Sequence, residues 1–238
     1  RGKIHVKNIV GDFRIKHMII SVKNLVKSFK SGEKELSVLR GLSLEIEKRQ
    51  FVAITGRSGS GKSTLLYQLG LLDYPNSGEI IIHGVNARDL NEEERVNFRL
   101  TELGYVFQDY ALVPELSAIE NVAVPILMQG YKKAEAFEVA KKALERIGMG
   151  ERLNNLPSQL SGGEQQRVSI ARAIAHDPKI IFADEPTANL DSETAKTVLD
   201  AFLDLNRQGQ TIVMVTHEPE YARLTHKVFK LNDGVIEE

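Results

Sequence analysis

The stretch Gly56-Arg57-Ser58-Gly59-Ser60-Gly61-Lys62-Ser63 constrains this chain more than any other. It fits the pattern G-x-x-x-x-G-K-[ST]. An apolar run, Phe51-Val52-Ala53-Ile54, precedes it and reads as a buried strand. After Thr64, the run Leu65-Leu66-Tyr67-Gln68-Leu69 reads as the start of a helix. Strand, glycine loop, helix is the context in which this pattern binds phosphate. The glycines let backbone N–H groups curl around an anion, and the helix N-terminus adds partial positive charge. Lys62 is placed to reach β- and γ-phosphates, and the Ser63 hydroxyl to hold Mg²⁺. Gly56, Ser58, Gly59, Ser60, Gly61, Lys62, Ser63 and Thr64 are the candidate binding residues of this stretch.

The rest of the composition narrows what such a loop can serve. The chain has 238 residues, enough for one large domain, and is 42% hydrophobic and 26% charged, ordinary values for a globular protein. A net charge of −1 calls for neither nucleic acid nor an anionic membrane as partner. With no cysteine, disulfides and thiolate metal sites are excluded. No apolar run approaches the ~20 residues of a membrane-spanning helix, so a membrane role has to pass through another polypeptide.

Residues 1–17 are basic and lack the apolar core of a signal peptide. They are expected to be an extension outside a fold that begins at Met18. From Ile19 to Ile54 the pattern suggests short strands and turns, with Leu42, Leu44 and Ile46 alternating with polar residues and a turn at Ser31–Lys34. Glu79–His83 and Gly104–Gln108 read as strands, and Asn91 is a candidate cap for a helix to Leu100. Between Ser117 and Gly148 the texture is helical, with a break at Gly130. Ile180–Asp184 and Thr211–Thr216 are continuous apolar runs, the signature of parallel strands buried on both faces. Ser192–Asn206 reads as a helix.

Two further features carry chemistry. Asp184-Glu185 ends a buried strand, where ligands bind in open α/β sheets. Asp184 is assigned to Mg²⁺, and Glu185 to a water attacking the γ-phosphate. Ser161-Gly162-Gly163 opens a helix with exposed N–H groups and a hydroxyl, a second anion site. One nucleotide needs only one such device. A head-to-tail pair of chains resolves the excess, each second device closing over the nucleotide on the other chain.

These motifs, in this order, resemble the ATP-binding cassette (ABC) ATPase family over Ile19 to Glu238. They are the phosphate loop, Gln108, Leu160-Ser161-Gly162-Gly163-Glu164, the strand ending in Asp184-Glu185, Ala188-Asn189-Leu190-Asp191, and His217. The resemblance implies a P-loop NTPase (RecA-like) α/β core with an antiparallel β-subdomain and an α-helical subdomain inserted at about 108–160. It implies that Phe29, where the family usually has Tyr, stacks on adenine. Gln108 would contact Mg²⁺ and the attacking water, and His217 the γ-phosphate. Ser161, Gly162 and Gly163 would face the γ-phosphate of the opposite subunit, and Asp191 would work across that interface. Arg49-Gln50 stand where many members have Gly-Glu, which bears on a turn and not on the chemistry.

The resemblance further implies an ATPase using ATP and Mg²⁺, dimerising on ATP and seated on the cytoplasmic face of a membrane through a permease. The runs Leu72–Gly78, Glu120–Pro125 and Ala183–Asp191 are similar to the macrolide-exporter, lipoprotein-releasing and cell-division group. Export, or lipoprotein or antimicrobial-peptide handling, is the expected use. Mechanotransmission without a moved solute is the alternative. A soluble nucleic-acid-acting cassette is a third reading, disfavoured by the single cassette and near-zero net charge.

Overall fold

The computed structural model describes residues 17–32 and 34–237. The expected extension at 1–17 therefore lies outside the described residues save His17, and the expected turn at Ser31–Lys34 lies partly outside them. Two sheets form the frame. The first is antiparallel, in the order β2-β1-β4-β5, from β1 (Met18–Ser31), β2 (Lys34–Glu47), β4 (Ser77–Ile82) and β5 (Val85–Asn86). Where short strands and turns were expected between Ile19 and Ile54, the chain makes one long antiparallel pair. Register shifts at Met18/Ile20, Val22/Leu25, Leu25/Val26 and Lys27/Ser28 explain the difference. Each irregularity moves the inward face by a residue, so the period-two alternation breaks without the strand ending.

The second sheet runs β10-β9-β3-β8-β7-β6. Its strands are β3 (Phe51–Thr55), β6 (Leu103–Val106), β7 (Ile180–Asp184), β8 (Thr211–Val215), β9 (Lys227–Asn232) and β10 (Val235–Glu237). All pairs are parallel except the β9–β10 hairpin. Residues of β7 and β8 are buried throughout. Alternate side chains feed two cores. Phe51, Ile181, Ala183, Ile212 and Met214 face one; Val52, Ile54, Ile180, Phe182, Val213 and Val215 face the other. The sheet is thus a wall between two layers.

On one side lie α3 (Ala118–Met128), α4 (Lys133–Arg146), α5 (Gly162–Ile174) and α6 (Ser192–Arg207), contributing Val122, Ala140, Val168 and Val198. On the other lie the antiparallel sheet and α1 (Lys62–Leu69), contributing Ile20, Leu44, Ile80 and Leu65. The helix α2 (Glu92–Glu102) is started by a reciprocal cap: Glu94 N–H donates to Asn91 Oδ1 at 2.9 Å, and Asn91 N–H donates to Glu94 Oε2 at 2.8 Å. At the start of α3 the Glu120 carboxylate accepts from both Ser117 N–H at 2.8 Å and Ser117 Oγ–H at 2.6 Å. A short helix, α7 (Pro219–Ala222), follows β8. No helix among the described residues is long and apolar enough to cross a membrane.

Candidate nucleotide site

The site sits at the C-terminal ends of adjacent parallel strands. Register fixes the arrangement: Ile54 and Asp184 both pair with Val215, so the residues leaving β3, β7 and β8 emerge side by side. Those residues are the glycine loop, Glu185 and His217. Glu185 N–H donates to Val215 O at 3.0 Å and Thr216 N–H to Ile54 O at 3.1 Å, extending the ladder to the rim. Gln108 leaves the next strand over, β6, and is exposed.

The glycine loop wraps the N-terminus of α1. Gly61 stands at the cap position with φ +102° and offers no side-chain cap, so the first N–H groups of the helix point into the loop. Gly56 has φ +155°, and a Cβ there would lie 2.2 Å from Leu231 O. Only glycine lets the chain pass. The Lys62 ammonium, largely buried, donates to Gly56 O at 3.1 Å and Arg57 O at 3.2 Å. It is coiled inside its own loop, around the space an anion would take. Ser60 Oγ is buried without a hydrogen-bond partner among the described residues.

Ser63 Oγ donates to Asp184 Oδ1 at 3.1 Å. Burial raises the pKa of Asp184, and the Glu185 charge adds to this; Ser63, Tyr67 and Lys62 pull it down. A carboxylate in this setting gains from a cation. Glu185 has φ +43°, a left-handed conformation that non-glycine residues adopt at a cost. Its Oε2 lies 2.8 Å from His217 Nδ1, while His217 Nε2 lies 3.1 Å from Glu218 Oε1. The imidazole is held between two carboxylates.

The remaining expected residues lie elsewhere. Phe29 is 44% exposed on β1, with the Lys27 ammonium 4.9 Å from its ring centroid. Ser161 caps α5, its Oγ accepting from Glu164 N–H at 3.3 Å, and Gly162 and Gly163 form the first turn. Asp191 caps α6, accepting from Glu193 N–H at 3.1 Å and Thr194 N–H at 3.0 Å. The Thr194 bonds hold its carboxyl below the usual range. Among the described residues, no hydrogen bond joins the Ser161 turn to the glycine loop. The structure brings Lys62, Ser63, Asp184, Glu185 and His217 together, and leaves Phe29, Ser161–Gly163 and Asp191 facing outward or engaged locally.

Sequence reasoning missed Glu218, whose only signal is adjacency to His217. It also missed Tyr67, in the second turn of α1, whose hydroxyl pKa is raised by burial and then by Asp184.

The pattern of the ABC transporter family matches residues 39–188, which spans the glycine loop, the Ser161 turn and the Asp184-Glu185 pair. The chain belongs to that family. It is 49% identical over 218 residues to the lipoprotein-releasing system ATP-binding protein LolD of Aquifex aeolicus, covering 92% of this chain and 96% of that one. It is 42% identical to the macrolide export ATP-binding/permease protein MacB of Bdellovibrio bacteriovorus, covering 92% of this chain and 33% of MacB. Among solved structures, a dimeric post-hydrolysis state of the ATP-binding cassette MJ0796 bound to ADP and phosphate superposes with a TM-score of 0.85. It is 39% identical, covering 92% of this chain and 97% of that one. The chain is an ABC transporter ATP-binding subunit with a P-loop NTPase fold, and an ATPase.

Proposed function

We propose that this ATPase works as half of a head-to-tail dimer that closes on two ATP molecules and drives a membrane permease. The observation that carries the reading is the separation within one chain of two anion-binding helix starts. One, at Gly61–Lys62, adjoins Asp184, Glu185 and His217 at the strand ends. The other, at Ser161–Gly163, has no hydrogen bond to it. The dimeric form of the related MJ0796 cassette supports the same arrangement.

In this reading the phosphates displace the carbonyls that Lys62 now holds, and Lys62 follows the charge on the γ-phosphoryl group. The loop N–H groups and Ser60 bind the remaining phosphate oxygens. Phe29 offers its ring to adenine. Ser63 and Asp184 form a pair of hard oxygen donors suited to Mg²⁺, with Gln108 as a third polar group from the loop after β6. Mg²⁺ held there would neutralise charge on the phosphates. Glu185 takes the proton of a water whose oxygen attacks the γ-phosphorus, while the bond to the bridging β–γ oxygen breaks and ADP leaves. His217, steadied by Glu218, holds Glu185 in place before ATP arrives and the γ-phosphate afterwards. Ser161, Gly162, Gly163 and Asp191 complete the site from the second copy.

A groove of roughly 380 Å³ supports the permease partner. Leu72, Val96, Leu100, Phe107, Val124 and Met128 line it, between α2 and α3 and beside the Gln108 loop. An apolar surface rimmed by Arg99 suits a short amphipathic segment of a membrane protein. The chain would then lie at the cytoplasmic face of the membrane. The likeness to LolD and MacB supports lipoprotein handling or export as the work done.

Lys62→Ala tests the nucleotide role. It should weaken ATP binding at least ~10-fold by isothermal titration calorimetry, because a charge-assisted contact inside a water-poor loop is lost. Unchanged affinity would remove Lys62 from the site.

A further inference from the structure

The loop that follows β6 is held in an unusual way. Four of its carbonyls accept hydrogen bonds from side chains of other motifs. Gln166 Nε2 donates to Phe107 O at 3.5 Å, and Asn189 Nδ2 to Gln108 O at 3.1 Å. Arg172 donates through Nη2 to Tyr110 O at 2.9 Å and through Nη1 to Ala111 O. Gln166 and Arg172 belong to α5, the helix that Ser161 caps; Asn189 belongs to the segment leading to Asp191. The Arg172 side chain is partly buried, and that burial lowers its pKa.

The backbone here is strained. Tyr110 has φ +64° and Ala111 φ +48°, consecutive non-glycine residues in the left-handed region. Such a pair persists only where its surroundings over-determine it, and such sites cluster where function needs a fixed geometry. The carbonyl bonds to Arg172 supply that determination. What the geometry fixes is the Tyr110 side chain. A Cβ built on Gly162 would lie 2.9 Å from Tyr110 Oη and 3.3 Å from Leu190 Cδ2. One on Gly163 would lie 2.1 Å from Thr194 Cγ2. The first turn of α5 is therefore seated between Tyr110, Leu190 and the start of α6, with no slack toward any of them.

We infer that Tyr110, locked by Arg172, is a positioning residue that sets where Ser161-Gly162-Gly163 is presented to the nucleotide on a second copy of the chain. The inference rests on the head-to-tail reading above and adds a residue to it. Tyr110 touches no reacting group; it acts through Gly162. Phe107 and Ala111, on the same loop, line the apolar groove. A shift of that loop is therefore delivered to Gly162 by Tyr110 and to α5 by Arg172.

The test uses the full chain and the non-hydrolysing Glu185→Gln parent. Adding Tyr110→Ala should weaken ATP-dependent dimerisation at least ~10-fold by analytical ultracentrifugation, and lower kcat as much in the Glu185 protein. ATP affinity of the monomer, set by the glycine loop, should change less than ~2-fold. Tyr110→Phe keeps the ring and loses only the hydroxyl that stands nearest Gly162, so it should weaken dimerisation less than Tyr110→Ala, and retained monomer ATP affinity in both variants shows that the fold is kept. Arg172→Gln should reproduce the Tyr110→Ala pattern. A Tyr110→Ala dimer as tight as the Glu185→Gln parent would overturn the inference, and so would an equal loss of monomer ATP affinity. A Glu185→Gln parent that stays monomeric with ATP would overturn the head-to-tail reading itself, and this inference with it.

Discussion

Asp184, proposed above as an Mg²⁺ ligand, carries a charge that costs the fold stability. Its side chain is largely enclosed, and burial raises its pKa, which disfavours the charged form. Asp184→Asn keeps an oxygen for the Ser63 hydroxyl and removes the charge. The nucleotide-free variant should melt about 2–4 °C higher while ATP turnover is lost; a lower melting temperature would contradict this reading. His176 makes stability depend on pH. Its Nε2–H donates to Leu103 O at 3.0 Å, and its buried Nδ1 has no partner among the described residues. Burial lowers its pKa below the ordinary 6.5. The folded chain then binds fewer protons than the unfolded one at pH values just under 6.5, so stability falls as pH drops through that window. His176→Gln, which keeps a donor for Leu103, should flatten the melting curve between pH 7 and pH 5. Parallel curves for the two proteins would exclude His176 as the cause.

At the scale of elements, the turn between β2 and β3 puts Arg49 at φ +66°. Its N–H donates to Thr211 Oγ1 at 2.9 Å and its carbonyl accepts from Asn206 at 2.8 Å, so the backbone is fixed from both sides. An exposed arginine in a left-handed conformation costs about 1 kcal/mol that glycine avoids, partly offset by glycine's greater unfolded-state entropy. Arg49→Gly should raise stability by roughly 0.5 kcal/mol in urea denaturation; a loss would show that the side chain contributes more than the backbone strain removes. The sequence departure at Arg49-Gln50 made this turn conspicuous. Its dihedral angles were not readable, because nothing in the run Glu47–Phe51 distinguishes a strained turn from an ordinary one. Helix α2 was readable because Asn91 and Glu94 declare its start. The long β1–β2 pair was not, because its register shifts erase the alternation on which strand reading depends.

Across the whole molecule, one buried parallel sheet sets nearly everything else. The continuous apolar runs of β3, β7 and β8 announced it, and the motifs at their ends announced the site. Sequence spacing gave no hint that β3 and β7 flank β8, and only that order sets Glu185 beside His217. The bonds from Gln166, Asn189 and Arg172 to the loop at 107–111 were equally hidden, since they join residues about 60–80 positions apart whose types are ordinary for a helix or a turn. In the proposed dimer the helix start at Ser161–Gly163 serves the glycine loop of a second copy; among the described residues no hydrogen bond joins it to the loop of its own chain. The measurement that tests this most directly is the mass of the Glu185→Gln protein in solution, by light scattering after gel filtration, with and without ATP and Mg²⁺. The account predicts a monomer without nucleotide and a dimer with it. A monomer under both conditions would contradict the composite site.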